Sequence, residues 1–155
     1  MEQKPQTAKQ WLTSIRNLKL DIRREEGNAK FWESMANKIT SNPSVAPGSG
    51  SGSDEEGEMD LSKGRVERYG TKAAKCQQIA TSRLHKYLDK RADAELAISM
   101  LDCPYQKIIL TERYLNAKGW QAVAKDVDYE ERRMFQVHTK ALTAIEPYRH
   151  LKSVQ

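Results

Sequence analysis

The chain has 155 residues, of which 38% are hydrophobic and 30% charged, and its formal net charge is +5 at pH 7. No apolar run approaches the roughly 20 residues that a membrane-spanning helix needs, and Met1 is followed by polar residues rather than by an apolar leader. We therefore expect a cytoplasmic protein with no membrane partner, and the basic excess favours a polyanionic partner.

The reactive residue types do not form a recognisable catalytic or metal site. Cys76 and Cys103 lie in no CxxC pair and at no zinc-ligand spacing from His85, His138 or His150. No nucleophile has a paired base nearby in sequence, and no carboxylate constellation is evident. The sequence therefore predicts a protein that is not an enzyme and has no metal or cofactor.

Residues 1–40 have the spacing of a heptad helix. Apolar or small residues alternate at intervals of four and three, with Glu25 at the one missing position. This seam consists of Trp11, Ile15, Leu18, Ile22, Ala29, Trp32, Ala36 and Ile39. Such a seam predicts a long helix that packs against another helix.

Residues 41–60 are rich in Ser, Gly and Pro and then acidic, which predicts a flexible linker. Residues 61–101 then predict a second long helix, with an apolar row that begins at Val66, Tyr69 and Ala73. The linker is long enough for the two helices to form an antiparallel, coiled-coil-like hairpin, and pairing between two chains as a homodimer is also open.

The outer side of this second helix is strongly basic. Between Lys63 and Arg91, only Glu67 and Asp89 oppose the cations. These cations are Lys63, Arg65, Arg68, Lys72, Lys75, Arg83, Lys86, Lys90 and Arg91. Such an excess suits a phosphate backbone, and the alternative is a solvated helix face balanced by the acidic linker.

Residues 102–155 predict three short helices with the spacing of a helix-turn-helix. The expected helices are 105–115, 120–127 and 130–145, and the third has a clear inner and outer side. Its inner residues are Met134, Val137, Ala141, Leu142 and Ile145, and its outer residues are Arg132, Arg133, Gln136, Thr139 and Lys140. With no strand-like alternation anywhere, the predicted fold class is all-α, a long helical hairpin joined to a C-terminal helix-turn-helix domain.

Two details of this region are open to structural test. Asp128, with Glu131 three residues later, has the pattern of a capping box at the start of the third helix. His138 is expected on the outer side of that helix, as a solvated residue or a DNA contact.

The segment ILTERYLNAKGWQAVAKDVDYEERRMFQVHTKAL, residues 109–142, resembles the DNA-binding region four of bacterial primary sigma factors. The resemblance lies in Arg113 and Tyr114, then Val123 and Ala124, then the closing pair 141–142. Together with the long helices and the linker, the whole chain is similar to the ArpU-like and RinA-like late transcription regulators of phages and prophages of Gram-positive bacteria.

This resemblance implies a sequence-specific activator of late viral genes that binds double-stranded DNA, acting beside the RNA polymerase of the bacterial host. It implies that the DNA-facing residues are Glu131, Arg132, Arg133, Gln136 and Lys140, and Thr139 lies on the same outer side. Arginine suits guanine and glutamine suits adenine, since each can form two hydrogen bonds to that base. Lysine more commonly meets phosphate.

Two alternatives use the same elements differently. Small terminase subunits, which are DNA-packaging components, also join a helix-turn-helix to helical oligomerisation segments, although their DNA-binding part usually comes first. A helical protein-interaction adaptor is the other alternative, because Glu130 and Glu131 stand at the start of the third helix, where carboxylates repel phosphates.

Overall fold

The computed structural model describes residues 6–41 and 55–153, with side chains in the second range described from Ser62 onward. The fold is all-α, as predicted, and the two long helices form a hairpin. The described residues form five α-helices, which are α1 (Ala8–Ser41), α2 (Glu55–Ser99), α3 (Pro104–Leu110), α4 (Trp120–Asp126) and α5 (Glu131–Ile145). A π-helical turn, Thr111–Leu115, continues α3, and a 3-10 turn, Glu146–Tyr148, continues α5.

The predicted linker lies largely outside the described residues, which leave out 42–54. Its last six residues, 55–60, belong to α2, so this helix begins earlier than its apolar pattern indicates. Four of these six residues are acidic, and acidic residues favour the first turns of a helix because they complement its dipole.

The chain divides into two compact units. One unit comprises Met1–Asp21 and Arg83–Gln155, and the other comprises Ile22–Ser82. Both long helices therefore contribute to both units.

In the unit Ile22–Ser82, α1 and α2 pack through small and aromatic residues. Ile22 and Ala29 of α1 are buried, as is Ala73 of α2. The Trp32 ring lies 5.3 Å from the Tyr69 ring. These residues belong to the two predicted apolar rows, which therefore lie at the helix pairing surface of this unit.

In the other unit, the start of α1 is fixed at both its own cap and the far end of the chain. The Gln10 N–H donates to the Thr7 hydroxyl, and the Thr7 N–H donates to the Gln10 side chain, a reciprocal capping box. The Ala8 N–H donates to Glu146 Oε2 at 2.9 Å, and Glu146 also pairs with Arg149. A carboxylate of the 3-10 turn thus occupies the positive end of α1.

Tyr87 and Arg91 join α2 to the end of the π-helical turn. The buried Tyr87 hydroxyl donates to the Leu115 carbonyl at 2.7 Å, a group that has no helical partner at a helix end. Arg91 Nη1 donates to the Tyr87 hydroxyl and to Asn116 Oδ1, at 2.8 and 3.1 Å. The placement of Arg91 on the exposed basic face is therefore wrong, because its guanidinium serves this half-buried network.

The turn between α4 and α5 differs from the predicted capping box. Asp128 has a φ of 54°, its N–H donates to the Lys125 carbonyl, and the Tyr129 N–H donates to the Ala124 carbonyl at 3.0 Å. This is a Schellman motif, which ends α4 with a left-handed residue. The N-cap of α5 is Glu130, with no side-chain capping bond, so the assignment of Asp128 as the cap of α5 is wrong.

No helix in the described part of the chain is long and apolar enough to cross a membrane.

The left-handed backbone at Asp128 makes a prediction about stability. Asp128→Gly should raise the free energy of unfolding by roughly 0.5–1 kcal/mol, because glycine adopts a positive φ without steric penalty. Asp128→Ala should lower it, since alanine tolerates this conformation less well than aspartate does. Thermal or urea unfolding measures both changes.

A matched control is Ala122→Gly at an exposed position within α4. There glycine should lower the free energy of unfolding by about 1 kcal/mol, because the backbone is helical. If glycine lowers stability equally at both positions, the left-handed conformation of Asp128 is refuted.

Candidate nucleic-acid interface

The inner side of α5 packs on a core that fixes the orientation of the helix. Met134 is fully buried with Ile109 of α3 and Val123 of α4, and Val127 completes the cluster. Val137 and the Trp120 ring pack against it from the edge. Because this side is apolar and enclosed, the opposite side of α5 must face solvent.

All six predicted site residues are exposed on α5. At helical spacing, Arg132, Gln136 and Thr139 form one outward row, and Arg133 and Lys140 form a second row beside it. Glu131 belongs to neither row. It lies in line with Phe135 and His138, four and seven residues further along the helix, whose rings pack against Trp120. Five of the six predicted residues therefore form one continuous polar surface.

Arg133 is supported by two tyrosines. Its guanidinium carbon lies 4.3 Å from the centroid of the Tyr129 ring, a cation–π contact. The Tyr129 ring in turn lies 4.9 Å from the Tyr105 ring of α3. This stack restrains Arg133 at the start of α5, and a restrained side chain loses less entropy when it binds.

Among the described residues, Arg132, Gln136 and Lys140 have no hydrogen-bond or ion-pair partner. Thr139 differs, because its hydroxyl donates to the Phe135 carbonyl at 2.9 Å. Its oxygen therefore retains only acceptor capacity. The surface thus offers hydrogen-bond donors from Arg132, Arg133 and Lys140. The Gln136 amide offers both a donor and an acceptor.

Phe135 lies at the edge of this surface, beside the two polar rows, and was not among the predicted site residues. Its side chain is 40% exposed, and its ring lies 4.9 Å from the Trp120 ring. A large apolar side chain beside exposed arginine and glutamine is chemically suited to contact an apolar group such as a thymine methyl. The sequence contains a signal for this residue, because Phe135 is an aromatic residue among polar positions and lies outside the inner apolar row.

The expectation that His138 is solvated on the outer side of α5 is wrong. His138 is 6% exposed, and its Nε2 lies 2.8 Å from the Tyr114 hydroxyl. The Trp120 ring meets the imidazole edge to face at 4.7 Å. Four residues after Met134, His138 continues the inner row and joins α5 to the π-helical turn.

The pKa values of this cluster follow from its burial. Burial, and then the positive charges of Lys9 and Arg113, lower the pKa of His138 to about 4. Burial also raises the pKa of Tyr114. Both side chains are therefore uncharged at neutral pH, so they add no charge beneath α5.

Arg113 links the π-helical turn to the beginning of α4. Its guanidinium lies 4.1 Å from the Trp120 ring and donates to the Lys118 carbonyl at 3.0 Å. The Lys118 ammonium pairs with Glu112 and Asp126. These contacts hold the connection between the π-helical turn and α4, where Gly119 provides no side-chain cap.

Within the described part of the chain, no group of three or more His, Cys, Asp or Glu side chains is arranged to hold a metal ion. No family model, curated protein or solved structure matches the chain.

The buried imidazole makes the stability of this unit depend on pH. As the pH falls below 6.5, the unfolded chain binds a proton at His138 that the folded chain does not bind until about pH 4. The contribution of His138 is thus present above pH 6.5 and is lost on acidification. Between about pH 7 and about pH 5 the free energy of unfolding should fall by about 2 kcal/mol through this residue.

The measurement compares urea unfolding of the wild type with His138→Gln at both pH values. Glutamine does not titrate and retains a polar group towards Tyr114, so the variant should lose about 2 kcal/mol less than the wild type on acidification. His85→Gln, at an exposed position, is the control and should follow the wild type. Parallel losses in all three proteins would contradict a buried neutral His138.

Proposed function

We propose that this chain is a sequence-specific DNA-binding protein in which α5 enters the major groove. One observation carries the proposal: α5 exposes Arg132, Arg133 and Gln136 together, on the side opposite a buried apolar core. The major groove admits one α-helix and displays the guanine and adenine acceptors that these residue types read. Lys140, in the same surface, suits a flanking phosphate.

We further propose a role in transcription regulation, as an activator of late genes in a phage or prophage that acts with the host RNA polymerase. The support for this role is the resemblance of residues 109–142 to sigma region four. A helix-turn-helix of that kind reads one promoter element as a single unit, whereas a symmetric dimer reads two half-sites. The symmetry of the preferred site therefore distinguishes these modes of binding.

An interaction adaptor is the second candidate, and the exposed Glu130 and Glu131 at the start of α5 favour it. Carboxylates at this position oppose phosphates unless they accept from a cytosine amino group. An adaptor binds no duplex with sequence preference. A packaging component, in contrast, binds DNA as a ring-sized assembly, which light scattering detects.

The test is selection of bound duplexes from a random pool, followed by affinity measurements on the selected duplex and a scrambled one. Arg132→Ala and Arg133→Ala should each weaken binding to the selected duplex by about 5- to 150-fold, which corresponds to about 1–3 kcal/mol for a base-reading arginine. Binding to the scrambled duplex should change much less.

Lys152→Ala is the matched control, because it removes the same charge from the same unit and disturbs only a surface pair with Asp93. It should leave the ratio of the two affinities unchanged. Equal, sequence-blind binding by the wild type and both arginine variants would support the adaptor and reject the proposed function.

A further inference from the structure

The segment that contains α4 and α5 carries no net charge. Residues 118–146 contain five cations and five carboxylates. The cations are Lys118, Lys125, Arg132, Arg133 and Lys140, and the carboxylates are Asp126, Asp128, Glu130, Glu131 and Glu146. Sequence-independent affinity for a duplex arises from neutralised phosphates and released counterions, so this segment has little excess charge with which to supply it.

Within the unit Ile22–Ser82, α2 separates its charges along the helix, because residues 55–60 contain four carboxylates and no cation. Residues 63–82 contain five cations and one carboxylate, Glu67. Four of the cations, Arg65, Arg68, Lys72 and Lys75, follow one another at intervals of three, four and three, which places them along one side of the helix. We call these four residues the α2 basic stripe, and it spans about 15 Å at the rise of an α-helix.

All four side chains of the α2 basic stripe are exposed. The Lys72 ammonium lies 4.2 Å from the Trp32 ring centroid, and Arg68 Nε donates to the Gly64 carbonyl of its own helix. No described carboxylate forms an ion pair with Arg65 or Lys75. No ion pair between described residues therefore neutralises a cation of the stripe, and Glu67 is the one carboxylate within its span.

The surroundings of the stripe favour a polyanion over a protein partner. The exposed residues between its cations are one carboxylate, Glu67, and the small residues Gly70, Thr71 and Ala74. Protein interfaces depend on a few large anchors such as tryptophan, tyrosine or arginine in well-packed pockets. The two arginines of the stripe lie on an open helix side rather than in such a pocket, and a row of long, flexible cations matches a regular array of phosphates.

We propose that Arg65, Arg68, Lys72 and Lys75 form a second DNA-binding surface, which holds the phosphate backbone irrespective of base sequence. The inference rests on the proposed function in that both take a DNA duplex as the partner. The inference assigns different parts of the binding energy to the two surfaces: α5 selects the sequence, and the α2 basic stripe supplies salt-dependent affinity.

The experiment measures the affinity of the full chain for a scrambled duplex over a range of salt concentrations. Each phosphate contact contributes about 0.9 to the slope of log K against log salt. Arg65→Gln with Lys75→Gln should therefore reduce the slope by about 2, and substitution of all four stripe residues by glutamine should reduce it by about 4. Each variant should weaken its own binding to the scrambled duplex and to the selected duplex by the same factor.

Lys30→Gln with Lys38→Gln is the matched control, because both residues are exposed on α1 in the same unit and the variant loses the same formal charge. It should leave the slope unchanged. Equal reductions in the stripe variant and the control would mean that overall charge alone acts, and an unchanged slope in the stripe variant would mean that no phosphate is contacted. Either result overturns the inference.

Two further readouts separate the possible failures. If the stripe variant loses affinity for poly-glutamate but keeps its slope for DNA, the surface binds an acidic protein and the inference is overturned. If the wild type shows no preference for a selected duplex while the stripe variant still loses its slope, the proposed function fails and the stripe stands as a DNA-binding surface. Circular dichroism of each variant verifies that the helices are retained.

Discussion

The burial of Met134 beneath α5 is the packing interaction on which the candidate interface depends. This side chain of α5 is fully buried together with Ile109 of α3 and Val123 of α4, so three helices meet at one point of the core. Burial of a side chain of this size is worth about 1.5–3 kcal/mol. Rotation of α5 about its axis would expose the apolar surface of Met134 to water. Because this rotation is unfavourable, the outward direction of Arg132 and Gln136 is fixed.

A second set of contacts holds this core at its polar edges. Tyr87, Tyr114 and His138 are buried side chains that carry polar atoms, and the Tyr87 hydroxyl and the Tyr114–His138 pair each have a hydrogen-bond partner. Leaving such a group without a partner costs about 1–3 kcal/mol. Because these partners lie on different helices, the network penalises arrangements of the same helices that an apolar core alone would tolerate.

The sequence was sufficient for those features that depend on local periodicity. The end of α1 and the bounds of α4 and α5 follow from apolar spacing to within a residue, and the exposure of Arg132, Arg133 and Gln136 follows from the same pattern. The start of α2 was missed because its first residues have no apolar row, and its acidic residues also fit a solvated linker.

The errors concern residues whose role depends on distant partners or on backbone conformation. His138 lies on the inner row, but a histidine reads as polar until its partner Tyr114, 24 residues away, is known. Arg91 likewise depends on Asn116. Asp128 was misassigned because aspartate favours both the N-cap of a helix and the left-handed position after one, and only the backbone angle separates the two.

The segment 118–146 and residues 63–82 of α2 differ in their charge balance. In the first segment, Glu130 and Glu131 offset the cations that we propose read bases, so the segment 118–146 has no net charge with which to bind DNA indiscriminately. A base-reading surface without excess charge discriminates better between sequences, because it adds less to the affinity for every competing site. The cost is weak attraction over distance, since electrostatic steering needs net charge. Under the proposal made above, the α2 basic stripe would supply that attraction locally, although residues 22–82 as a whole contain nine cations and nine carboxylates. The contacts proposed to distinguish one base from another would be unchanged.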